Sequence, residues 1–167
     1  MNPPDIRPFA AEDLDRVIAG IPSEEPDALR RRLREHERGD VVWLVAWVEG
    51  TPVGYGGLVL DADRSPEELV ESRGLPLVDY LVVEEPYRRR GIGRELMLAL
   101  ESVARDAGWP GVMLDTGTGE DFAPARALYR SLGYVDRGGI YLGGWSDPDR
   151  PGVHLVDRLT IWVKRLR

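Results

Sequence analysis

The chain has 167 residues and no cysteine, which excludes disulfides, a thiol nucleophile and thiolate-bound metal. Its formal net charge of −7 and sequence pI near 4.9 argue against nucleic acid as a default partner and are compatible with a cationic substrate. The length, without any Pro- or Ser-rich linker, predicts a single domain over residues 1–167.

Neither a targeting segment nor a membrane span is predicted. The first residues have no basic start followed by an apolar core, and the longest apolar run, residues 41–48, is far too short to cross a bilayer. We therefore expect a cytoplasmic protein with no membrane partner.

The stretch up to residue 60 predicts helices followed by an antiparallel hairpin. Gly39 ends an arginine-rich helix whose charges we expect to be solvated, and His36 is expected at the surface. Gly54, Gly56 and Gly57 predict a bulge or a close approach of another backbone or a ligand, with packing as the favoured reason. The predicted elements are a strand over residues 6–9, a helix over 11–19, a helix ending at 38, and strands over 41–48 and 53–60.

The rest of the chain predicts a strand–helix–strand unit, a further helix and a long final strand. Such a unit implies parallel pairing, so we expect a mixed sheet with helices on both faces. Ser65 and Glu68 predict a capping box and a short helix in an acidic insertion over 61–76, whose role stays open, like that of an excursion over 138–152. The predicted elements are a strand over 78–83, a helix over 92–107, a strand over 112–115, a loop over 116–121, a helix ending at 132, a strand resuming at 134 and a strand over 153–163.

The final strand alternates between apolar and polar side chains, as a strand with one buried face does. Asp157 falls on the apolar side, against the pattern. The positions predicted to face a core are Leu155, Leu159, Ile161 and Val163, and those predicted to face outward are His154, Arg158 and Lys164.

A glycine loop follows the strand over 78–83 and organises the centre of the chain. Residues 88–93 spell Arg-Arg-Arg-Gly-Ile-Gly, immediately before a predicted helix. The free amides and the positive dipole end of a helix N-terminus bind anions such as phosphate, and glycines let the anion approach closely. A dinucleotide-binding loop is excluded because Leu96 stands where its third glycine belongs, and a Walker loop is excluded because Arg94 and Glu95 follow Gly93.

Most of the chain, and most strongly the part from Leu77 to Tyr134, resembles the GCN5-related N-acetyltransferase (GNAT) family. The Arg-x-x-Gly-x-Gly loop is similar to that family's acyl-CoA pyrophosphate loop, and residues 125–134 resemble its Ala-x-x-Leu-Tyr-x-x-x-Gly-Phe pattern, with Tyr134 for phenylalanine. The resemblance implies a GNAT-like α/β fold: a mixed, mostly antiparallel central sheet with a splayed parallel pair in the middle and helices on both faces. The chain departs from the family at Phe122, where many relatives have asparagine, and in the position of Pro86, shifted by one residue.

The resemblance implies an N-acetyltransferase that moves an acetyl group from acetyl-CoA directly to a primary amine of a small molecule or peptide, without a metal. It implies that Tyr129 donates a proton to the departing thiolate, although Tyr129 could instead be only a core aromatic. Leu81, Val82 and Val83 would supply a backbone N–H to the oxyanion and pair with the pantetheine arm. The implied pyrophosphate ligands are Arg88, Arg89, Arg90, Gly91, Ile92, Gly93 and Arg94.

The acceptor amine must lose a proton before attack, and a carboxylate is the natural group to receive it. We favour Asp115, which ends a predicted strand in Leu-Asp-Thr-Gly, over Glu84 and then over Asp79. The triplet over 115–117 also spells the aspartic protease signature, but such proteases need two facing copies and this chain has one. A catalytically silent acyl-CoA-binding regulatory module and, more distantly, a nucleic-acid-binding protein are the competing interpretations. A homodimer is left open.

Overall fold

The computed structural model describes residues 2–61, 72–138, 140–147 and 150–167, and within these residues the chain forms one mixed sheet of eight strands. The strands are β1 (Asp5–Pro8), β2 (Val41–Val48), β3 (Thr51–Val59), β4 (Leu77–Val83), β5 (Gly111–Gly117), β6 (Val135–Asp136), β7 (Tyr141–Ser146) and β8 (His154–Arg165). The helices are α1 (Leu14–Gly20), α2 (Pro26–Arg38), α3 (Ile92–Asp106) and α4 (Ala123–Ser131).

The strand order is β1-β2-β3-β4-β5-β8-β6, with β7 also pairing β8. Neighbouring strands run antiparallel except β4 and β5, which are parallel. Among the described residues, β4 and β5 are in register only where Leu77 lies opposite Met113. The two strands therefore part beyond that position, which confirms the predicted sheet with a splayed parallel pair and helices on both faces.

Apolar side chains fill both faces of the sheet. On one face, Leu96 and Leu100 of α3 pack with Leu114 of β5 and Trp162 of β8. On the other face, helices α1 and α2 pack against β2 and β3, and a smaller cluster with Met113 and Ile161 joins them through Val59. The alternation of β5 therefore sends Val112 and Leu114 to the α3 side and Met113 and Asp115 to the α1 and α2 side.

Several predicted elements need correction. The excursion over 138–152 contains a strand, β7, which pairs with the first half of β8. Strand β5 continues through Thr116 and Gly117, which were predicted as loop, because both residues pair with β8. The helix predicted from Ser65 and Glu68 lies outside the described residues.

Two side chains that were expected at the surface are built into the fold. The ammonium of Lys164 lies 2.6 Å from a carboxylate oxygen of Glu101, which is 1% exposed. His36 accepts a hydrogen bond at its Nδ1 from the backbone N–H of Trp43, at 2.9 Å. Glu101 lies 63 residues from Lys164, and Trp43 lies on a strand whereas His36 lies on a helix. The local sequence pattern therefore did not indicate either contact.

The glycines of β3 are explained by close packing. A Cβ at Gly54 would lie 2.5 Å from the carbonyl oxygen of Val82, and a Cβ at Gly57 would lie 2.6 Å from the Trp43 ring. The predicted bulge is present, because the pairing of β3 with β4 shifts between Gly56 and Gly57. Tyr80 is the extra residue and has a φ of +56°, a conformation that costs a non-glycine residue about 1–3 kcal/mol.

No helix among the described residues is long and apolar enough to cross a membrane.

Three buried tyrosines predict a loss of stability at alkaline pH. Burial raises the pKa of Tyr55 and Tyr134 above the ordinary tyrosine value, and burial together with the Asp115 charge raises that of Tyr129 to about 12. Their contribution to stability is complete below the unfolded pKa near 10 and is lost as pH rises towards the folded values. The free energy of unfolding should therefore fall by up to about 4 kcal/mol per pH unit above pH 10, about 1.4 for each tyrosine.

Denaturant unfolding at about pH 9 and about pH 11 measures this slope, and the Tyr134→Phe variant should lessen it by about a third. A free energy of unfolding that does not change over this interval would contradict the prediction.

Candidate active site

The gap between the parting strands β4 and β5 opens into a cleft of about 1760 Å³. One wall is helix α2, and the other is formed by residues of β7 and β8 together with Asp147, Arg150 and Pro151. Between these walls the cleft reaches Tyr129 of α4 and Asp115 of β5. Two of the predicted catalytic residues therefore line one cleft.

Tyr129 lies at the inner end of the cleft, where it is 8% exposed. Its ring centroid lies 6.1 Å from that of Tyr134 and 6.3 Å from that of Trp162, so the ring is held by aromatic packing on the α3 side of the sheet. Burial, and then the negative charge of Asp115, raise the pKa of the Tyr129 hydroxyl to about 12. The hydroxyl is therefore a neutral hydrogen-bond donor at any ordinary pH.

Asp115 reaches the same place from the opposite face of the sheet. Its strand position, opposite Ile161, puts the side chain on the face that carries α1 and α2. The carboxylate accepts a hydrogen bond from the Tyr141 hydroxyl at 3.1 Å. This bond from β7 fixes the orientation of a carboxylate that is only partly buried.

The other candidate bases have different surroundings. Glu84 is buried and accepts hydrogen bonds from the hydroxyl and the backbone N–H of Ser23, in the connection between α1 and α2. Among the described residues, Glu84 is not part of the cleft lining, whereas Asp79 is. The geometry therefore brings Asp115 and Asp79 towards Tyr129 but ties Glu84 to the N-terminal helices.

The glycine loop before α3 has the backbone that its sequence predicts. Gly91 caps the helix with a φ of 82°, a left-handed conformation that favours glycine. Arg88 donates from its Nε to the carbonyl oxygen of Val83 at 2.8 Å, which ties the loop to the end of β4. The guanidinium of Arg90 lies 5.4 Å from the centroid of the Tyr87 ring.

The positive charges of the loop face solvent. The side chains of Arg88, Arg89, Arg90 and Arg94 are exposed around the start of α3. The first amides of that helix, at Ile92, Gly93 and Arg94, have no partner within the helix, as for any helix start. The loop therefore combines free donors, a helix dipole and cations at one place.

Strand β4 presents an edge to the same region. Leu81, Val82 and Val83 pair with β3 on one side, opposite Gly56, Tyr55 and Gly54. On the other side they lie beyond the paired position at Leu77, where β5 has moved away. The edge that β5 leaves open is the one at which an extended chain can add as a further strand.

Sequence reasoning missed two residues that hold the site together. Arg126 of α4 donates from one nitrogen to the carbonyl oxygens of Gly117 and Gly119, both at 2.8 Å. It thereby joins the helix that carries Tyr129 to the end of the strand that carries Asp115. Tyr141 lies in a stretch where no strand was predicted, so its bond to Asp115 had no signal in the sequence.

Two residues that depart from the expected sequence patterns line the cleft. Asp157, which broke the alternation of β8, lines the cleft, as do Leu155 and Leu159 on the same face. Phe122, which stands where many relatives of the family have asparagine, is 41% exposed and also lines the cleft. A Cβ at Gly117 would overlap the Phe122 ring, so this glycine is needed for the ring to lie against β5.

The comparisons with known proteins agree with this architecture. A family model described as the Acetyltransferase (GNAT) family matches residues 7–134. An IAA acetyltransferase of Azospirillum brasilense is 33% identical over 127 residues, which cover 76% of this chain and 75% of that protein. A Homo sapiens protein named N-acetyltransferase 8 is 31% identical over 110 residues, which cover 66% of this chain and 45% of that protein.

Among solved structures, the ribosomal-protein-alanine N-acetyltransferase of Brucella melitensis superposes with a TM-score of 0.70. It is 23% identical, and the match covers 97% of this chain and 99% of that chain. The splayed parallel pair and the glycine loop thus define an acetyltransferase fold. The chain belongs to the GNAT family, which confirms the predicted family, fold class and N-acetyltransferase class.

Proposed function

We propose that this protein transfers an acetyl group from acetyl-CoA directly to the primary amine of a small molecule or peptide. The observation that carries the proposal is that Asp115 and Tyr129 reach the gap between β4 and β5 from opposite faces of the sheet. An amine can then approach from the α1 and α2 side while the thioester lies on the α3 side. The acidity of the chain, with a net charge of −7, favours a cationic acceptor.

Gly93, at the start of α3, faces both β4 and α4. A Cβ at Gly93 would lie 3.6 Å from Leu128 on α4 and 3.9 Å from both Leu81 and Val83 on β4. These are ordinary van der Waals distances, so a methyl group would fit at Gly93, whereas a branched side chain would extend against β4 and α4, next to the strand edge of Leu81, Val82 and Val83. The pyrophosphate would be held by the amides of Gly91, Ile92 and Gly93 and by the neighbouring arginines.

The side chains of the cleft supply the proton transfers that the reaction needs. Acetyl-CoA supplies an activated acyl carbon, to which the amine nitrogen bonds as the carbon–sulfur bond breaks. Asp115 receives the proton of the ammonium, directly or through water, so that the nitrogen carries a lone pair, and the second proton that the nitrogen loses as the amide forms goes to water. A backbone N–H of Leu81, Val82 or Val83 stabilises the negative charge on the acyl oxygen, and the Tyr129 hydroxyl donates a hydrogen bond to the departing sulfur.

The cofactor loop is tested by Gly93→Val. We expect this substitution to weaken CoA binding by about 100-fold, equivalent to about 2.7 kcal/mol, because the side chain fills the space beside β4 and blocks the approach to the amides. Calorimetric titration with CoA measures the affinity. Gly91→Val is a less specific probe, since the φ of 82° at Gly91 strains any residue with a side chain.

The matched control is Ser102→Val, which places the same residue at an exposed position of the same helix. It should leave the CoA affinity within about twofold, because only the helix propensity changes. Equal affinity of folded Gly93→Val and wild type would overturn the loop assignment.

The activity itself is tested by release of free thiol from acetyl-CoA in the presence of a panel of primary amines and short peptides. Release that depends on the amine supports the proposal. Tight CoA binding with no release for any acceptor would instead favour a catalytically silent acyl-CoA-binding module. A cytoplasmic location remains part of the proposal, and fractionation of cells that express the protein tests it.

A further inference from the structure

Tyr80 presents an aromatic ring to the side of the cleft from which the amine approaches. The residue lines the cleft and is 52% exposed, which is unusual for a large side chain on a central strand. It is the extra residue of the bulge in β4 and has a φ of +56°. Bulky residues rarely adopt this conformation, and such strain is typical of residues that contact ligands.

Arg32 of α2 holds the ring in place. Its guanidinium carbon lies 4.3 Å from the centroid of the Tyr80 ring, and it also lies against Trp43 at 5.3 Å and Tyr55 at 5.1 Å. Arg32 is 3% exposed and forms an ion pair with Glu24 at 3.2 Å. The arginines of α2 were predicted to be solvated, and Arg32 is the clear exception.

The position of Arg32 decides what the exposed part of Tyr80 can bind. A second cation against the same ring would experience the repulsion of a guanidinium on the other side, in a partly buried place. An uncharged aromatic or large apolar group has no such cost and gains from stacking. The cleft offers further apolar surface at Phe122, Leu155 and Leu159.

Tyr80 and Asp115 lie at similar heights along the parting strands β4 and β5. Leu77 and Met113 are paired, and Tyr80 and Asp115 follow them by three and two residues along parallel strands. At about 3.3 Å per residue, both side chains lie about 7–10 Å beyond that pair. Both also lie on the α1 and α2 side of the sheet, so a ring on Tyr80 and an amine near Asp115 can belong to the same acceptor.

We propose that Tyr80 determines acceptor specificity, selecting a primary amine that carries an aromatic or large apolar group a few bonds from the nitrogen. The ring of the acceptor stacks on Tyr80 while the ammonium lies towards Asp115, and Arg32 is a positioning residue for Tyr80. This inference rests on the proposed acetyl transfer and names the class of acceptor for it.

The test compares two probes, 2-phenylethylamine and n-propylamine, which share a primary amine and differ in the phenyl group. Their affinities for the CoA-saturated protein are measured by ligand-observed NMR titration. Wild type should bind 2-phenylethylamine at least about 10-fold more tightly than n-propylamine. Tyr80→Ala should reduce that ratio to below about threefold, whereas Tyr80→Phe should preserve it because the ring remains.

Leu142→Ala is the matched control, because Leu142 is a 71% exposed apolar residue of β7 outside the described cleft lining. Its removal should leave the ratio unchanged. An equal ratio in wild type and Tyr80→Ala, or no preference in wild type, would overturn the role of Tyr80. Absence of CoA binding in wild type would instead overturn the proposed acetyl transfer, so the two failures are distinguishable.

Discussion

Replacing Tyr129 by phenylalanine should lower kcat by about 100-fold, the size of effect that a single hydrogen-bond donor to a developing negative charge supplies, while the affinity for acetyl-CoA changes by less than about threefold. The hydrogen bond from the hydroxyl strengthens only when negative charge develops on the departing sulfur, so loss of the hydroxyl raises the reaction barrier more than it weakens acetyl-CoA binding. The ring keeps its packing against Tyr134 and Trp162 in the variant. Steady-state kinetics with a saturating acceptor, together with calorimetric titration of acetyl-CoA, separates the two effects.

The raised pKa of Tyr129 limits how the hydroxyl acts. With a tyrosine pKa of about 12 and a thiol pKa of about 8.5, complete transfer of the proton to the thiolate is uphill by about 5 kcal/mol. The hydroxyl therefore acts as a hydrogen-bond donor, and the thiolate takes its proton from solvent after release. Because the pKa is raised, the donor form persists as pH rises, and ionisation of Tyr129 should not lower kcat below about pH 11.

The control for Tyr129→Phe is Tyr134→Phe. Tyr134 lies in the same aromatic cluster, and burial and the Glu101 charge raise its pKa. Its ring lies beside Lys164, and Tyr134 is not among the described residues that line the cleft. Loss of that hydroxyl should leave kcat within about twofold, as for a residue without contact to reacting atoms. If Tyr129→Phe has the kcat of wild type, the Tyr129 hydroxyl has no catalytic role and the residue serves only as a core aromatic.

The central strand–helix–strand unit could be predicted because its signals are local. The apolar face of α3 has the helical period, Gly91 allows the left-handed cap, and β-branched residues end β4 at Val83. The same stretch carries the loop that the GNAT resemblance assigns to acyl-CoA. The parallel pairing then follows from chain direction alone, without knowledge of any long-range contact.

The acceptor side of the cleft could not be predicted in this way, because its contacts join elements that are far apart in sequence. Tyr141 reaches Asp115 across 26 positions. The sequence did not distinguish Arg32 from the other arginines of α2, which were expected to be solvated. Arg32 is buried because it packs against the strands that carry Trp43, Tyr55 and Tyr80. Charge patterning on one helix cannot distinguish an exposed face from a face that another element covers.

The alternation of β8 shows the same limit within one strand. Its second half packs on both faces, with Trp162 against α3 and α4 and Ile161 in the opposite cluster. Its first half extends past the core, so the positions that should be buried, including Asp157, line the cleft instead. The pattern correctly gave which residues share a face, but it could not say whether that face meets a core or a ligand.

Asp115→Asn should lower kcat/KM by about 100-fold near pH 7, and the loss should shrink as pH approaches the pKa of the acceptor amine, about 10 if it resembles lysine. At low pH almost every acceptor is an ammonium ion, so a carboxylate that accepts its proton matters most there. At high pH the free amine is already present and attacks without a base. The asparagine keeps the shape of the side chain and an oxygen that can accept the Tyr141 hydrogen bond, so the substitution removes charge rather than position.

The matched control is Glu84→Gln, because Glu84 is a carboxylate at the end of the neighbouring strand β4 and is bound by Ser23 instead of lining the cleft. If Asp115 is the base, the pH profile of kcat/KM should change in Asp115→Asn and follow wild type in Glu84→Gln. The reverse result would assign the role of base to Glu84. Profiles equal to wild type in both variants would leave only Asp79 or water as the group that accepts the proton.

A binding role for Asp115 predicts a different kinetic result from a role as base. If the carboxylate only attracts the ammonium ion, Asp115→Asn should raise KM for the acceptor with little change in kcat, as long as the acceptor remains charged. If it accepts the proton, kcat itself should fall, and an acceptor with a lower amine pKa should lose less activity, because more of it is free amine at a given pH. Comparing two acceptors of similar shape and different amine pKa therefore distinguishes a base from a binding group. If Asp115 only attracts a charged group, Asp115→Asn should raise KM more for the more basic amine.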